Sequence, residues 1–530
     1  MTRPLLPLLA HFDLKGVLPR ERHLLRHLDS LKSLGFQGVL VEYEEVFPFE
    51  TVSLASHPED RWSRAFLQEF LDHAAALELE IVPLQQCLGH LEYAFVHEAH
   101  RPFALPSQPL KDLHIGRPEA VEWMKAILGE IIAAHPRSRH IHLGLDEAHT
   151  LRAYAEEAGR QPLELFLDYL ESLCTFCEAH GKKPLIWSDM LEEHYDPALL
   201  DRLLALRDRL ILVPWDYSND RNPPALVRFC GVRLSRRWLD EPLHPDAPPL
   251  PPALYESLPA LEEWPPAVAE LMSDFMASPW TVQPFFPARL WKRFGFTVWG
   301  ASASATSQDG TLLPCYQRRM NNLSAWKEQA GHLDALIVTQ WGRSNSLTVP
   351  NLIPEVCWPL LAFAACGTPA AFFPEIDART VEALFLLIGQ ARENWCFTGK
   401  CRNNWQIENR LIAEMKRLLP LTGARRYEWE TILLMVAIMR ENKALHAAME
   451  QIRRYEGIGR LPAEGWEPHR RRLVDFTEKW SQRETEARRH LEEGYHGTAL
   501  REWFHTVFTN GRREAGRGLA SINASAALKN

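Results

Sequence analysis

Short apolar runs alternate with longer amphipathic segments along roughly the first 370 residues of the chain. The apolar runs predict strands at residues 5–13, 38–44, 80–84, 140–146, 184–188, 210–215, 295–299 and 335–339. Helical spacing of apolar positions follows most of these strands, for example at 21–34, 62–77, 162–180 and 314–329. Eight strands that alternate with helices pair in parallel through helical crossovers, so we expect an α/β fold, a (β/α)8 TIM barrel.

The pattern changes in the last third of the chain, where strands are no longer predicted. Charged amphipathic segments at 406–419, 427–450 and 468–493 predict helices. We therefore expect a catalytic barrel at 1–372 and an α-helical C-terminal domain at 373–530. The helical part is rich in tryptophan, which indicates core packing first, with a homodimer interface or a wall of the site as alternatives.

The composition is that of a globular protein large enough for more than one domain, with 530 residues of which 46% are hydrophobic. The formal net charge of -9 comes from interspersed acids and bases, without the basic stripe that binds nucleic acid. With neither a signal-peptide pattern nor a bilayer-length apolar run, we expect a cytoplasmic protein without nucleic-acid or membrane partners. The nine cysteines are scattered, and Cys174-x-x-Cys177 lies in a helical pattern, which indicates reduced, structural thiols.

The segment 139–149 combines an alternating apolar run with two adjacent carboxylates, Asp146 and Glu147. If the strand continues to Asp146, that side chain shares a face with those of His140 and His142. Active sites of (β/α)8 barrels lie at the carboxyl ends of the strands, so the segment predicts catalytic acids at the barrel mouth. A solvated turn is the alternative interpretation.

Tryptophan recurs where the later strands end, together with polar residues. These stretches are Trp187-Ser188-Asp189 after the fifth strand, Trp215-Asp216-Tyr217 after the sixth, Trp299 at the seventh, and Trp341-Gly342-Arg343 after the eighth. We expect the four tryptophans to converge on one rim of the barrel. Flat apolar faces beside hydrogen-bond donors suit a sugar ring, so the pattern predicts a carbohydrate pocket.

The adjacency of Asp146 and Glu147 constrains the reaction at such a site. Double displacement needs one carboxylate on each side of the glycosidic bond, which neighbouring residues provide poorly. The pair fits a substrate-assisted route, in which a 2-acetamido group of the sugar is the nucleophile. Glu147 is then the general acid, with a pKa that burial and the neighbouring charge are expected to raise. Asp146 orients the acetamide N–H, and Tyr217 is the candidate that binds the acetamide oxygen.

At these positions the chain resembles glycoside hydrolase family 20, the β-N-acetylhexosaminidases. His142-x-Gly144-x-Asp146-Glu147 matches the His-x-Gly-x-Asp-Glu motif of that family. Enzymes of the family also use the substrate-assisted route. The likeness is strongest to the hexosaminidase D type. Three further stretches carry it: His11-Phe12-Asp13-Leu14-Lys15-Gly16, Glu42-Tyr43-Glu44-Glu45-Val46-Phe47-Pro48 and Gly89-His90-Leu91-Glu92.

The resemblance implies an exo-acting, retaining enzyme that releases terminal β-linked GlcNAc or GalNAc from glycans or glycoconjugates through an oxazolinium intermediate, without a metal or cofactor. It implies Glu147 as general acid/base, Asp146 as acetamide orienter and Tyr217 on the acetamide oxygen. The other implied contacts are His90 near the sugar hydroxyls, and Trp187, Trp215 and Trp341 as pocket walls.

The chain departs from the larger family members at two places. Those members carry a sugar-binding arginine after the first strand, where this chain has Asp13-Leu14-Lys15-Gly16. They also carry an acidic residue near the last strand, where this chain has Trp341-Gly342-Arg343. We expect Arg343 to bind hydroxyls in its place or to accommodate an anionic substituent.

Other assignments stay open from the residues alone. The spacing also admits a separate partner carboxylate, from among Glu42, Glu44, Asp189 and Asp216. A metal-dependent hydrolase is a second alternative, because imidazoles and a carboxylate suit zinc. Its ligands would be His90, His140, His142 and Asp146. A third alternative is a barrel that binds sugar without turnover.

Overall fold

A computed structural model describes residues 6–54, 57–217, 228–230, 232–233, 264–278, 281–306, 309, 312–341, 353–396, 406–457 and 465–527. The chain divides into two compact units. Unit 1 consists of Met1–Asp13, Gly35–Ala303 and Asn321–Thr339, and unit 2 consists of Leu14–Leu34, Ser304–Met320 and Gln340–Asn530. The domain boundary expected after residue 372 stays a prediction.

Eight parallel strands close into a barrel, as the sequence predicts. They are β1 (Leu8–Asp13), β2 (Gly38–Glu42), β3 (Glu80–Leu84), β4 (His140–His142), β5 (Lys183–Trp187), β6 (Ile211–Val213), β7 (Thr297–Ala305) and β8 (Ala335–Gln340). Neighbours in the barrel follow chain order, and β8 pairs in parallel with β1. The (β/α)8 fold is therefore confirmed.

Most strand residues are apolar because one face of each strand meets the barrel interior and the other meets the surrounding helices. All five residues of β2 are buried, for example. The carboxyl ends of β4 and β7 differ most from the prediction, whereas the other strands end within two residues of it. β4 ends at His142 because the backbone at Gly144 and Leu145 has positive φ. β7 continues through small residues to Ala305, although alanine and serine have low strand propensity, and Ala301 forms a bridge with Trp215.

Helices follow most strands of unit 1. Their bounds are Arg64–Ala76, Glu92–Phe95, Pro118–Ala134, Leu151–Glu157, Pro162–Ala179, Asp189–Glu193, Leu200–Leu204, Pro266–Ser273 and Phe286–Arg293, and a helix at Tyr316–Glu328 includes residues of both units. Two short hairpins pair Arg228–Phe229 with Val232–Arg233 and Met276–Ser278 with Thr281–Val282. The helices predicted at 62–77, 162–180 and 314–329 are thus confirmed to within two residues at each end.

Unit 2 is mainly helical. Its helices are Glu21–Leu34, Trp358–Cys366, Ala378–Cys396, Gln406–Leu418, Arg426–Gly457, Glu467–Gly494, Gly497–Phe504 and Asn510–Ala527. Core packing is confirmed for Trp429, Trp480 and Trp503, which are completely buried. Among all helices in the described ranges, none is both long and apolar enough to span a membrane.

Cys174 and Cys177 lie on the helix Pro162–Ala179 and are buried. Both carry free thiols. Burial raises the pKa of Cys174 to about 12 and raises that of Cys177 as well, so neither is a reactive thiolate at neutral pH. The structural interpretation of this Cys-x-x-Cys pair therefore agrees with its surroundings.

Candidate active site

The segment after β4 turns sharply before it reaches the two acids of the motif. Two residues beyond the end of β4, the carbonyl oxygen of Gly144 still accepts a hydrogen bond from the Trp187 N–H at 3.0 Å. The backbone then has positive φ at Gly144 (66°), Leu145 (72°) and Glu147 (48°). Such a conformation costs a non-glycine residue about 1–3 kcal/mol. The expectation that the strand reaches Asp146 is wrong, and the acids lie on a strained turn instead.

His142 and Gly144 of the motif shape this turn. His142 is fully buried, and its Nδ1 atom accepts a hydrogen bond from the Gly144 N–H at 3.0 Å. Burial lowers the pKa of His142 to about 3, so the ring stays neutral and keeps its acceptor. A Cβ atom on Gly144 would lie only 1.9 Å from Oε1 of Gln86. Packing thus explains the His-x-Gly part of the motif, and the acids remain as candidates for chemistry.

His90 contacts both carboxylates. Its Nε2 atom lies 3.4 Å from Oδ2 of Asp146 and 3.4 Å from Oε2 of Glu147. The exposed fraction of the side chain is 10% for Asp146, 28% for His90 and 42% for Glu147, so Glu147 is the most accessible. Burial alone would lower the pKa of His90, but the charge of Asp146 and hydrogen bonds to both acids raise it well above its ordinary value. The imidazole is therefore a cation at neutral pH.

The same contact lowers the pKa of Glu147. The hydrogen bond from His90 is the largest cause, and it outweighs burial, which acts in the opposite direction. The expectation that burial and Asp146 raise the pKa of Glu147 is therefore wrong for the free protein. That expectation did not include the positive charge of His90, which lies in the loop after β3. Of Asp146, Glu147 and His90, it is therefore His90 that carries the transferable proton in the free protein.

Asp189 links the turn at residues 144–147, here called the acid turn, to Trp215, which follows β6. Its Oδ2 atom accepts a hydrogen bond from the backbone N–H of Glu147 at 3.0 Å, and its Oδ1 atom accepts one from Nε1–H of Trp215 at 3.2 Å. Burial, together with the nearby charge of Asp146, raises the pKa of Asp189 well above its ordinary value. From the sequence, Asp189 was one of four candidates for a separate partner carboxylate. Its place directly after β5 was the available signal for its role as a positioning residue.

Trp215 and Tyr217 lie next to this group. Their rings stack with centroids 5.2 Å apart and an interplanar angle of 19°. Both side chains are partly exposed. Trp187, by contrast, is only 1% exposed and packs against His142 with ring centroids 4.3 Å apart. Trp215 and Tyr217 thus present aromatic surface near Glu147, whereas Trp187 is part of the barrel core beneath the turn.

The expectation that four tryptophans form one rim is wrong for Trp299. Its ring is edge-on to that of His140, the first residue of β4, with centroids 5.1 Å apart. Trp299 therefore lies toward the amino ends of the strands. Trp341 belongs to unit 2, where Nζ of Lys15 is 5.3 Å from the centroid of its ring. Arg343 lies outside the described residues.

The alternative residues have partners of their own. Glu42 is buried, with one carboxylate oxygen 3.3 Å from Nε2 of His11 and the other accepting a hydrogen bond from Gln86 at 3.2 Å. Nδ1 of His140 lies 2.9 Å from Oε1 of Glu80. Within the described part of the chain, the ligand atoms of His140 do not converge with those of His90. The geometry thus gives the zinc alternative at this site no support.

Gly89 precedes His90 and lies against the acid turn. A Cβ atom there would be 2.3 Å from the carbonyl oxygen of Asp146, a backbone atom that cannot shift without moving the turn. We expect Gly89→Ala to lower the free energy of unfolding by about 1–3 kcal/mol, measured by chemical denaturation. Gly129→Ala is the matched control, because a Cβ atom there meets only Phe176, at an ordinary 3.6 Å. Equal stability of the two variants would contradict the close packing at Gly89.

Comparisons with known proteins identify a relative. No protein-family model matches the chain. The chain is 29% identical over 222 residues to hexosaminidase D of Bos taurus, which covers 40% of this chain and 63% of that protein. It is 28% identical over 222 residues to hexosaminidase D of Homo sapiens, which covers 40% of this chain and 45% of that protein. Over these residues the chain is similar to hexosaminidase D.

The similarity to hexosaminidase D confirms the resemblance inferred from the motifs. The match spans less than two thirds of the length of either hexosaminidase D. Among solved structures, the β-N-acetylhexosaminidase from Bacteroides fragilis NCTC 9343 superposes with a TM-score of 0.43 and 14% identity, over 68% of this chain and 65% of that one.

Proposed function

We propose that this chain is an exo-acting, retaining β-N-acetylhexosaminidase that releases terminal β-linked GlcNAc or GalNAc from glycans or glycoconjugates in the cytoplasm. The observation that carries the proposal is the position of His90, whose Nε2 atom lies 3.4 Å from the carboxylates of both Asp146 and Glu147. Three titratable groups at the carboxyl ends of barrel strands are arranged to store and deliver one proton. The relationship to hexosaminidase D supports the same activity.

In the proposed first step, the acetamide oxygen of the bound sugar attacks its own C1 atom. The bond from C1 to the glycosidic oxygen breaks, and Glu147 gives a proton to the leaving oxygen. Asp146 accepts a hydrogen bond from the acetamide N–H, while the hydroxyl of Tyr217 donates one to the acetamide oxygen. The product is an oxazolinium ion, whose positive charge the Asp146 carboxylate stabilises.

In the proposed second step, Glu147 takes a proton from a water molecule, and that water attacks C1 from the side that the aglycone left. The bond between C1 and the acetamide oxygen breaks, and the acetamide is restored. Two inversions at C1 give overall retention of the β-configuration. The half-buried Glu147 can reach both the leaving oxygen and the incoming water, whereas Asp146 is enclosed.

The location of the proton suggests how substrate binding prepares the acid. In the free protein His90 is charged and the pKa of Glu147 is lowered. We propose that the glycosidic oxygen takes the place of His90 against Glu147, so that the proton moves from the imidazole to the carboxylate. Asp189 keeps the Glu147 backbone in place during this exchange, because it accepts that residue's N–H.

The remaining contacts concern the sugar ring. Trp215 is the proposed stacking wall, since its partly exposed ring is fixed through Nε1 by Asp189. Trp187, which the resemblance implies as a pocket wall, is only 1% exposed, so we propose that it supports His142 beneath the turn instead of contacting the sugar. The contacts that the resemblance implies for Trp341 and Arg343 stay predictions, since Trp341 belongs to unit 2 and Arg343 lies outside the described residues.

The test is hydrolysis by the full chain of three nitrophenyl glycosides: the β-N-acetylglucosaminide, the β-N-acetylgalactosaminide and the plain β-glucoside. We expect kcat/KM for an acetamido sugar to exceed that for the glucoside by at least about 10³-fold, because an intramolecular nucleophile has a very high effective concentration. Proton NMR of the first product should show the β-anomer.

Each other outcome favours a different function. Equal turnover of the plain glucoside would mean an enzyme nucleophile, and the substrate-assisted proposal would be wrong. Saturable binding of the sugars without turnover would indicate a sugar-binding barrel. Turnover that a chelator abolishes and zinc restores would favour the metal-dependent alternative.

A further inference from the structure

Two buried histidines lie one turn apart on the helix Glu21–Leu34 of unit 2. His23 and His27 are 6% and 3% exposed, and their ring centroids are 4.7 Å apart. Residues four apart on a helix project from the same face, which is the spacing that pairs of metal-binding histidines use. Neither residue belongs to the candidate active site.

Glu355 completes a group of three possible ligands. It lies in the short 3-10 helix Pro354–Cys357, is completely buried, and directs Oε1 at both histidines. Oε1 is in short contact with Nε2 of His23 and lies 3.2 Å from Nε2 of His27. Ligand atoms about 2.0 Å from a tetrahedral zinc ion lie roughly 3.3 Å from one another, so the His27 spacing suits such an ion. Among the described residues, this is the one group of three side chains whose ligand atoms converge in this way.

Tyr495 holds the carboxylate in this orientation. Its hydroxyl donates a hydrogen bond to Oε2 of Glu355, which leaves Oε1 to face the two imidazoles. The strand Tyr495–His496 reaches the cluster because it pairs antiparallel with Leu18–Pro19, just before the histidine helix. Hydrogen bonds from neighbouring side chains orient the ligands in known metal sites in the same way.

The surroundings of the cluster are aromatic and close-packed. The ring of His27 is edge-on to Trp358, and that of His23 to Tyr427. A Cβ atom on Gly494 would lie 3.1 Å from Nε2 of His23, so the glycine leaves room beside that ligand atom. Burying a carboxylate in such a site is costly unless a positive charge compensates for it. A divalent cation bound to neutral imidazoles provides that charge.

We propose that His23, His27 and Glu355 bind a divalent transition-metal ion, with zinc as the ion that this set of two imidazoles and one carboxylate fits best. The site shares no residue with the candidate active site and does not depend on the proposed function. Its ligands come from two segments that are far apart in the sequence, and Tyr495 joins them to a third. The ion therefore has a structural role, and its binding stabilises unit 2.

The test uses the full chain, freed of metal with a chelator, dialysed, and then titrated with zinc under equilibrium dialysis. We expect one zinc ion per chain by mass spectrometry, and a rise in Tm when it binds. His27→Gln and Glu355→Gln should each weaken zinc binding at least about 10-fold. Tyr495→Phe keeps the three ligands and should weaken it by about 10–100-fold.

His446→Gln is the matched control, because it removes a partly buried histidine of the same unit outside the cluster. It should leave zinc binding unchanged. If the ligand variants do not fold, the visible spectrum of wild-type protein with one equivalent of cobalt decides, because tetrahedral ligation gives intense bands that zinc abolishes. The proposal would be overturned if the wild type binds no zinc, or if folded His27→Gln binds zinc as tightly as the wild type does. The three residues would then be a hydrogen-bonded cluster without a metal.

Discussion

Glu147→Gln is expected to lower kcat/KM for nitrophenyl β-N-acetylglucosaminide by about 10²–10⁴-fold, the usual contribution of a general acid. The loss should be much smaller for the dinitrophenyl glycoside, because dinitrophenolate leaves without being protonated. Asp146→Asn should lower kcat/KM by about 10²–10³-fold for both leaving groups. Asp146 acts on the acetamide, and the acetamide attacks whichever leaving group is present.

The dependence on leaving group separates the two roles even though the residues are adjacent. Glu156→Gln is the control, because Glu156 is exposed on the nearby helix Leu151–Glu157. It should retain wild-type kinetics, and thermal unfolding should show that all three variants are folded. A loss in Glu147→Gln that is the same for both leaving groups would contradict its role as the acid. Full activity of Asp146→Asn would contradict substrate assistance.

The architecture of the barrel was predictable because it depends on local patterns. Parallel strands that are buried on both faces appear as short continuous apolar runs, and β3 has the predicted bounds of 80–84. The helix Glu21–Leu34 also has its predicted bounds, since its apolar positions repeat at helical spacing over its whole length. Such patterns specify which elements form and in what order.

The site was predictable only in part, because its chemistry depends on contacts between strands. The motif identified Asp146 and Glu147, but the turn that presents them needs positive φ at Leu145 and Glu147, which no residue preference indicates. The pKa of Glu147 has the opposite shift to the expected one because His90, from the loop after a different strand, touches it. Trp299 was misplaced because alternation along a strand does not reveal its level in the barrel.

The cluster in unit 2 illustrates the same limit. The spacing of His23 and His27 is visible in the sequence, but two histidines one turn apart on a helix occur often without a ligand. The two histidines become a candidate metal site only because the fold places Glu355 and Tyr495 beside them. A third ligand that is distant in the sequence carries no signal in a single chain.

Removal of the imidazole at position 90 should change the pH dependence of catalysis. In the wild type, Asp146 and Glu147 hold the pKa of His90 well above its ordinary value, so kcat/KM should fall only at correspondingly alkaline pH. In His90→Gln the transferable proton has to reside on Glu147 itself. Its pKa rises from the lowered value once the cation is gone, but a carboxyl still titrates below such a histidine. The alkaline limb of the profile therefore moves to lower pH.

The loss caused by His90→Gln should thus grow with pH, from a small factor near pH 5 to about 10²-fold at neutral pH and above. The measurement is kcat/KM from about pH 4 to pH 9, with His180→Gln as the control, because His180 is exposed at the end of the helix Pro162–Ala179 and contacts neither acid. The free energy of unfolding of the wild type should likewise decrease as pH rises. The contribution of the His90 cation is complete below the ordinary histidine pKa and disappears as pH rises through the raised pKa of the folded state. An alkaline limb that stays in place in His90→Gln would mean that another group supplies the proton, and Asp189, whose pKa is also raised, would be the next residue to test.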